Sequence, residues 1–359
     1  MVRPILNQET NMSKKILKCA LIGCGFIGYQ HLNAFLDCEN TELVAICNRN
    51  KTRLESLQKK FGIEKGYTDY KELIKDIPDL DMVSICLPNK LHASVTVDFL
   101  DAGINVLCEK PMAVNAEDAK RMIDAEKRSP AKLMIVQNQR FYPVNQAIKR
   151  MYDEGKFGEV YHIRTGWRRP LGLLPSPKDS WEDGSECDRS WYNSKDAYGG
   201  VLRDLGVHLL DLAMYITDFP KVKSVHASGY RKFTAGEEDS YDYSSEDMAT
   251  ALIKFENGMS ISMEVSFASY ISEEKLFTNI YGTKAGAERT EDELKLILPD
   301  SEYPYRIVPI NTKREREYKH CIHEFADALV NNKEVPVKAE DCLKIIEILD
   351  MLYASMEEN

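Results

Sequence analysis

The sequence of 359 residues contains no uninterrupted apolar run of the ~18 residues that a membrane-spanning helix requires. Residues 1–15 are polar and lack the apolar stretch of roughly 7–15 residues found in secretory signal peptides, so we expect a cytoplasmic protein with no membrane partner. Positive charge is in deficit, because 47 Lys and Arg face 57 Asp and Glu, giving a net charge of −10. A chain of this charge repels polyphosphate backbones, so we expect no nucleic-acid partner.

None of the nine cysteines forms a Cys-x-x-Cys pair. Such pairs are typical of zinc sites and redox motifs, whereas regularly spaced cysteines in short secreted chains indicate disulfide frameworks. Five of the nine lie in or beside apolar runs typical of buried strands. We therefore expect reduced thiols in a cytoplasmic protein, and no metal site.

Short apolar runs alternate with amphipathic segments in the first part of the chain. The runs occupy residues 19–22, 43–46, 82–86, 106–108 and 133–136, and the amphipathic segments include 51–61 and 116–127. This alternation predicts parallel strands joined by helical crossovers, as in doubly wound α/β sheets. We predict a first domain over residues 16–140, preceded by a flexible extension at residues 1–15.

The pattern changes after residue 141. Alternating apolar residues occur at 249–255, 260–266 and 277–281, and helical periodicity occurs at 318–330 and 339–356. The alternation predicts antiparallel strands with one covered face. We therefore predict a second, α+β domain over residues 141–359. An uncovered apolar sheet face usually marks an interface, so we expect a homodimer or homotetramer built on this sheet.

A glycine motif follows the first predicted strand directly. Gly23, Gly25 and Gly28 have the spacing Gly-x-Gly-x-x-Gly and, with Phe26 and Ile27, open an amphipathic segment. In a strand-to-helix turn, such glycines permit a tight bend and the close approach of a pyrophosphate to helix N–H groups. The position of the motif predicts a dinucleotide site, and the alternative is a glycine-rich turn without a ligand.

The residues after the second predicted strand bear on the choice of dinucleotide. Asn48 lies 20 residues beyond Gly28, where NAD-binding folds usually place an acid on the ribose 2′-hydroxyl. The amide tolerates a 2′-phosphate, and the guanidinium of Arg49 could bind one in bidentate fashion. These residues favour NADP slightly over NAD, and the alternative is a solvated Arg49 followed by a helix cap at Asn50.

Polar residues follow two further predicted strands at their carboxyl ends, where open α/β sheets bind ligands. Pro88, Asn89 and His92 follow the third apolar run, and Glu109 and Lys110 follow the fourth. Lysine is almost never buried without a partner. We therefore predict that Lys110 either forms a salt bridge or polarises a substrate oxygen.

One predicted helix combines two carboxylates with a histidine. Asp204, His208 and Asp211 are spaced i, i+4 and i+7 after Gly199 and Gly200, which places them on one helix face. A carboxylate beside an imidazole orients the ring and raises its basicity, as proton abstraction from an alcohol requires. The alternatives are a structural histidine or a metal site, and the latter lacks a convincing fourth ligand.

In combination and order, these motifs resemble the Gfo/Idh/MocA family of glucose-fructose oxidoreductase and inositol dehydrogenase, over about residues 16–356. The resemblance implies a Rossmann domain and a C-terminal α/β domain whose large open-faced sheet often forms the oligomer interface. It also implies an NAD(P) site formed by Gly23, Gly25, Phe26, Ile27, Gly28, Asn48, Arg49, Pro88, Asn89, His92, Glu109 and Lys110. Glu109 and Lys110 would lie near the nicotinamide.

The activity implied is oxidation of a secondary alcohol of a sugar, sugar derivative or cyclitol, or its reverse. His208 would accept the hydroxyl proton, Lys110 would stabilise the developing alkoxide, and Asp204 would bind a neighbouring hydroxyl and orient His208. Two other activities stay open: a glycosidase with tightly bound, internally recycled NAD, and a non-catalytic sensor.

Aromatic and arginine side chains are candidates for lining the substrate pocket. Aromatic faces suit the C–H side of a pyranose or cyclitol, and paired arginines suit a carboxylate or phosphate. The candidates are Arg140, Tyr142, Trp167, Arg168, Arg169, Trp191 and Tyr192. The alternative is a set of core aromatics with a solvated basic pair.

Overall fold

The computed structural model describes residues 15–170, 192, 194–195, 197–232, 244–291, 293–312 and 319–357. Within these residues the strands form two sheets, one of six strands and one of eight. The first sheet is parallel and the second is mainly antiparallel, which confirms the predicted fold class.

The strands of the first sheet come from the N-terminal part of the chain. They are β1 (Leu17–Ile22), β2 (Thr41–Cys47), β3 (Lys65–Tyr67), β4 (Met82–Ile85), β5 (Asn105–Cys108) and β6 (Leu133–Ile135). Their order is β3-β2-β1-β4-β5-β6, with all neighbours parallel. The order reverses between β1 and β4, and ligands of such sheets bind in the crevice at that reversal. The loops after β1 and β4 therefore meet at one crevice.

Helices connect these strands. They are α1 (Phe26–Asp37), α2 (Lys51–Phe61), α3 (Tyr70–Asp76), α4 (His92–Asp101) and α5 (Ala116–Arg128). The side chains of Asn50, Asp69 and Asn115 accept N–H groups at the starts of α2, α3 and α5, which satisfies donors that a helix start leaves open. By contrast, α1 starts at Gly25 with no cap from any described side chain.

The second sheet contains the strands of the C-terminal part. They are β7 (Val160–Pro170), β8 (Val222–Tyr230), β9 (Met248–Phe255), β10 (Ser260–Ser269), β11 (Lys275–Gly282), β12 (Gly286–Thr290), β13 (Leu294–Leu298) and β14 (Arg306–Ile310). Their order is β14-β13-β12-β11-β7-β10-β9-β8, and only β7 and β10 pair in parallel among these described strands.

The remaining helices are α6 (Pro143–Asp153), α7 (Val207–Ile216), α8 (Lys319–Val330) and α9 (Ala339–Glu357), and a π-helical segment, Leu202–Gly206, leads into α7. Helix α7 packs on β7 and β10, whereas α8 packs against α1, and α9 packs against both α5 and β8. In α9, the Asp350 carboxylate accepts the N–H of Ala116 at 2.8 Å, and Ser355 Oγ accepts the N–H of Ala227 at 3.1 Å. Helix α9 therefore joins the two sheets' layers.

The sheet face opposite α7 is polar along its central strands. On β10, Ser260, Ser262 and Glu264 alternate with buried apolar residues. Arg164 of β7 donates to Glu264 at 3.3 Å on the same face. The sequence predicted an uncovered apolar face here, and that expectation is wrong for these strands. The homodimer or homotetramer stays a prediction.

Three further properties of the described residues concern membranes, metals and thiols. No helix among them has the length and apolar character needed to cross a membrane. They contain no group of three or more His, Cys, Asp and Glu side chains placed to hold a metal ion. The eight cysteines that the structure describes are free thiols, and all but Cys86 are buried.

Candidate active site

The glycine loop between β1 and α1 forms one wall of the crevice. A Cβ atom on Gly23 would lie 2.3 Å from the carbonyl oxygen of Cys86, and one on Gly28 would lie 1.9 Å from that of Gly23. A Cβ on Gly25 would meet nothing within 4 Å. Gly23 and Gly28 are therefore required by the packing of the loop itself, whereas Gly25 borders open space.

This open space fits a dinucleotide pyrophosphate. It lies at the start of α1, where Phe26 is exposed and Ile27 is half-buried. The first-turn N–H groups of a helix without a side-chain cap are donors for an anion, and the helix dipole favours negative charge there. The first turn of α1 contains no acidic residue that would oppose this.

Asn48 supports the glycine loop from the end of β2. Its Oδ1 accepts the N–H of Cys24 at 3.2 Å, and its Nδ2 donates to the carbonyl oxygen of Asn50 at 3.2 Å. Arg49 is exposed. Sequence reasoning missed Arg53, a buried side chain of α2 whose Nε donates to the carbonyl oxygen of Cys24 at 3.3 Å. Its position in the first turn of α2 could have indicated this contact, because side chains of a helix lean towards its N-terminus and so towards the glycine loop.

The loop after β4 is tied to its surroundings by Asn89 and His92. Pro88 precedes a short 3₁₀ turn that begins at Asn89, whose Nδ2 donates to the carbonyl oxygen of Tyr198 at 3.0 Å. The ring nitrogens of the buried His92 lie 2.7 Å from the oxygen of Leu87 and 2.8 Å from that of Pro111.

The contacts of His92 are with the backbone of two loops. Its ring nitrogens face the carbonyl oxygens of Leu87 and Pro111, and a neutral ring donates a hydrogen bond to one of them. Its predicted place beside the cofactor stays a prediction. Burial lowers the pKa of the His92 ring.

The carboxylate of Glu109 contacts His31 and the backbone of Lys110, and its predicted place beside the nicotinamide stays a prediction. One carboxylate oxygen lies 2.9 Å from Nε2 of His31, and the other accepts the backbone N–H of Lys110 at 2.9 Å. His31 Nδ1 lies 2.8 Å from Oγ of Ser84. A buried carboxylate is stable only when it is paired, and these contacts use both of its oxygens. Sequence reasoning missed His31, since it sits within the apolar pattern of α1.

Lys110 reaches across the crevice to the second part of the chain. Its Nζ lies 2.7 Å from Oδ1 of Asp204 and 3.0 Å from the carbonyl oxygen of the same residue. The two side chains are only 12% and 18% exposed. The predicted salt bridge is thus present, and it places the ammonium group beside the segment that leads into α7.

His208 is the second residue of α7 and is 7% exposed. Burial, reinforced by the positive charges of Lys110 and Arg169, holds the pKa of His208 well below its ordinary value. Its Nδ1 is buried and has no hydrogen-bond partner among the described residues. These surroundings disfavour the protonated ring, and the buried Nδ1 leaves Nε2 as the ring nitrogen for contact with a ligand.

The predicted grouping of two carboxylates around His208 is wrong. Asp204 lies in the π-helical segment, where the wider turn shifts side chains off the i, i+4 alignment. Its carboxylate binds Lys110 instead of orienting the imidazole. Asp211 is buried and accepts two hydrogen bonds from Arg140, at 2.9 Å and 2.6 Å.

The same ion pair removes Arg140 from the substrate candidates. Its guanidinium also stacks over the rings of Tyr215 and Phe219, each at 5.2 Å from the ring centroid. The nearby hydroxyl of Tyr142 accepts a hydrogen bond from Nδ2 of Asn138 at 3.0 Å. Arg140 therefore holds the junction between the two sheets' layers.

Strand β7 divides its candidates between two faces, because side chains alternate along a strand. The ring centroids of Trp167 and His208 lie 6.0 Å apart, and the guanidinium of Arg169 lies 5.1 Å from the Trp167 ring centroid. Trp167 Nε1 and Arg169 Nε donate to Oε1 of Glu274, at 2.5 Å and 3.4 Å. Sequence reasoning did not single out Glu274.

Arg168 lies on the opposite face of the sheet, 3.8 Å from Glu264, and so does not line the site as predicted. Trp191 lies outside the described residues. Tyr192 is half-buried, and its carbonyl oxygen accepts the N–H of Gly200 at 2.7 Å.

Comparisons with known proteins agree with this architecture. The model of an oxidoreductase family's NAD-binding Rossmann fold matches residues 17–137, and the model of that family's C-terminal alpha/beta domain matches residues 149–359. Levoglucosan dehydrogenase, solved in complex with NADH and levoglucosan, has a similar fold, with a TM-score of 0.83 at 23% identity. That match covers 96% of this chain and 98% of the other.

Two curated relatives are more similar in sequence. D-glucoside 3-dehydrogenase of Escherichia coli (strain K12) is 32% identical over 288 residues, which cover 78% of each chain. D-apiose dehydrogenase of Paraburkholderia graminis is 30% identical over 281 residues, covering 78% of this chain and 68% of the relative. The chain therefore belongs to the Gfo/Idh/MocA family of oxidoreductases.

Proposed function

We propose that the protein is an NAD(P)-dependent dehydrogenase that oxidises a secondary alcohol of a sugar, sugar derivative or cyclitol, or catalyses the reverse reaction. The observation that carries this proposal is the contact of Lys110 Nζ with Asp204 at 2.7 Å, which brings the lysine to the segment that leads into the helix of His208. Lys110 follows a strand of the first sheet and contacts the segment leading into α7, and its charge acts on the buried ring of His208. The glycine loop borders the crevice of that sheet.

The residues present fit a nicotinamide dinucleotide. Gly25 and the first turn of α1 would hold the pyrophosphate, in the space that a Cβ atom at residue 25 would enter. When bound, the cofactor supplies the hydride acceptor or donor.

Side chains of the protein accept the hydroxyl proton of the substrate and bind its oxygen. His208, kept neutral by its surroundings, accepts the hydroxyl proton of the substrate during oxidation. The Lys110 ammonium donates a hydrogen bond to the same oxygen, and its charge stabilises the developing alkoxide. Asp204 holds Lys110 at 2.7 Å and thereby orients that donor.

The charges of the site favour a neutral carbohydrate as substrate. Among the described residues around His208, both cations have acidic partners, Lys110 with Asp204 and Arg169 with Glu274. A substrate carboxylate or phosphate would need a cation without such a partner. The face of Trp167 beside His208 suits the C–H side of a sugar ring. The relatives named for D-glucosides and D-apiose support the same class.

We propose that NADP binds at least as tightly as NAD. Position 48, directly after β2, holds an amide and not an acid, and the exposed guanidinium of Arg49 is of the kind that binds a 2′-phosphate. Neighbouring structures were solved with NADH and NAD, so the comparison of the two cofactors in solution is the direct test.

We also propose that the protein is a homodimer or homotetramer built on the second sheet, since eight described strands form one broad surface. Its central polar side chains would form hydrogen bonds and ion pairs across the interface. Light scattering that gives a monomer of 41.0 kDa at micromolar concentration contradicts this proposal.

A substrate screen tests the activity. Purified protein is mixed with a panel of sugars, polyols and sugar phosphates together with NAD or NADP, and absorbance of the reduced nicotinamide is followed. We expect turnover with a neutral sugar or cyclitol. Cofactor that co-purifies without net NAD(P)H formation would indicate internal recycling, and binding without any turnover would indicate a sensor; either result overturns the proposal.

A further inference from the structure

A continuous line of buried hydrogen bonds runs from α1 to the backbone of Lys110. Ser84 Oγ on β4 lies 2.8 Å from Nδ1 of His31, and Nε2 of that ring lies 2.9 Å from Oε1 of Glu109. The second oxygen of Glu109 accepts the Lys110 N–H at 2.9 Å. Ser84 and His31 are fully buried and Glu109 is nearly so, so water does not replace these partners.

This line of hydrogen bonds connects the helix at the glycine loop with the lysine that contacts Asp204. His31 is three residues beyond Gly28, on the helix whose N-terminus borders the open space at Gly25. Lys110 is the residue that binds Asp204 and, in the proposed reaction, the substrate oxygen. A displacement of α1 is therefore transmitted through His31 and Glu109 to the backbone that carries the Lys110 side chain.

We propose that His31 is a positioning residue that couples the cofactor helix α1 to Lys110 through Glu109. This inference rests on the proposed function, because Lys110 matters only if it contacts the substrate oxygen. Dinucleotide binding at the start of α1 fixes His31, and His31 fixes the carboxylate that holds the Lys110 N–H. The catalytic lysine is then ordered when the cofactor is present.

Two variants separate positioning from stability. His31→Leu leaves the buried carboxylate of Glu109 without its ring partner, which destabilises the fold by itself. The double variant His31→Leu/Glu109→Gln removes that unpaired charge while leaving the line broken. We expect the melting temperature to fall in the single variant and to recover largely in the double variant.

Turnover follows a different pattern if His31 positions Lys110. We expect kcat to fall by about 10- to 100-fold in both variants, because a displacement of about 1 Å at a reacting group costs about that much. The sugar KM should change less than kcat. His31→Gln, which keeps an N–H donor, should restore part of kcat. Recovery of kcat together with stability in the double variant would overturn the proposal.

Hydrogen exchange gives a readout that needs no turnover. The exchange rate of the peptide containing the Lys110 amide is measured by mass spectrometry with and without NAD, at concentrations that saturate each variant. In the unmodified protein we expect NAD to slow this exchange several-fold. In the double variant the effect should disappear, and an equal effect in both proteins would show that NAD acts on Lys110 without His31.

A matched control is provided by His323 on α8, whose Nε2 lies 3.8 Å from Oδ2 of Asp37 at the far end of α1. His323→Leu should leave kcat and the exchange of the Lys110 amide unchanged. Lys110→Ala tests the proposed function separately. If that variant keeps its turnover while NAD still slows exchange through His31, the proposed function fails and the coupling stands.

Discussion

The guanidinium of Arg140 and the carboxylate of Asp211 form a bidentate ion pair with hydrogen bonds of 2.9 Å and 2.6 Å. Their side chains are 4% and 1% exposed, so neither charge is solvated. Arg140 precedes α6 and Asp211 lies in α7, the helix that also carries His208. The pair therefore fixes α7 against the end of the first sheet's domain.

Breaking this pair on one side is expected to destabilise the protein. Asp211→Asn or Arg140→Leu leaves an uncompensated buried charge, which typically costs about 3–5 kcal/mol. The double variant Arg140→Met/Asp211→Leu should lose less than either single change. Denaturant unfolding measures these differences. A role of Arg140 in substrate binding makes another forecast, namely a raised substrate KM in Arg140→Leu with little loss of stability.

Removing the base or the alkoxide donor should abolish most turnover. For His208→Ala and Lys110→Ala we expect turnover to fall by about 10²- to 10⁴-fold, the usual effect of losing a proton acceptor or a charged donor. Cofactor affinity, measured by fluorescence titration, should change little in His208→Ala. If His208 were only structural, melting temperature would fall and turnover per folded molecule would persist.

The acidic limb of the pH–rate profile should lie well below pH 6.5, because burial and neighbouring charges lower the pKa of His208. Arg169→Gln removes one of the two cations that disfavour the protonated ring, so the pKa of His208 should rise. A base with a higher pKa becomes protonated at higher pH, and the limb should move upward. A limb that stays in place would exclude His208 as the group that titrates.

Two glycine substitutions in the same loop should differ in effect, one lowering stability and the other lowering affinity for the dinucleotide. In Gly28→Ala the new Cβ meets the oxygen of Gly23 at 1.9 Å, so we expect a loss of about 1–3 kcal/mol of stability. In Gly25→Ala the Cβ enters open space, and stability should stay within about 1 kcal/mol while affinity for the dinucleotide falls. Thermal melts and cofactor titrations on both variants check the assignment, which fails if Gly25→Ala binds normally.

Arg49 provides the test of cofactor preference. Arg49→Ala should weaken NADP binding and leave NAD binding unchanged, because only NADP has the 2′-phosphate that a guanidinium binds. Titrations of both cofactors against both proteins measure this. Lys51→Ala, a neighbouring change at the start of α2, is the control for a general loss of positive charge. A strong preference for NAD that is unaffected in Arg49→Ala contradicts the expectation.

Much of the first domain follows from local sequence pattern. The apolar runs of β1, β4, β5 and β6 are buried on both faces, and that of β2 is buried in its second half, so each appears in the sequence as a continuous hydrophobic segment. Strand β3 was missed, because it has only the three residues Lys65–Tyr67 and lies at the sheet edge. Its pairing with β2 is decided by tertiary contact rather than by its own composition.

Features of the site that depend on a single residue type could be predicted from the sequence. The glycine spacing matches a tight strand-to-helix loop, and Lys110 after a buried strand has the acidic partner that burial requires. The partners were not predictable, since helical spacing assigned Asp204 and Asp211 to His208, while long-range contacts give them to Lys110 and Arg140. The π-helical segment has no sequence signature that would have warned of this.

The contact of Asp350 with Ala116 joins residues that are 234 positions apart in the chain. During translation at about 5–20 residues per second, α5 leaves the ribosome roughly 10–50 s before α9 is made to cover it. For that interval the nascent first sheet has an uncovered flank, which is a binding surface for chaperones and a hazard for aggregation. Once α9 has docked, the two layers share a helix, so a change that loosens α9 should weaken the packing of both α5 and β8.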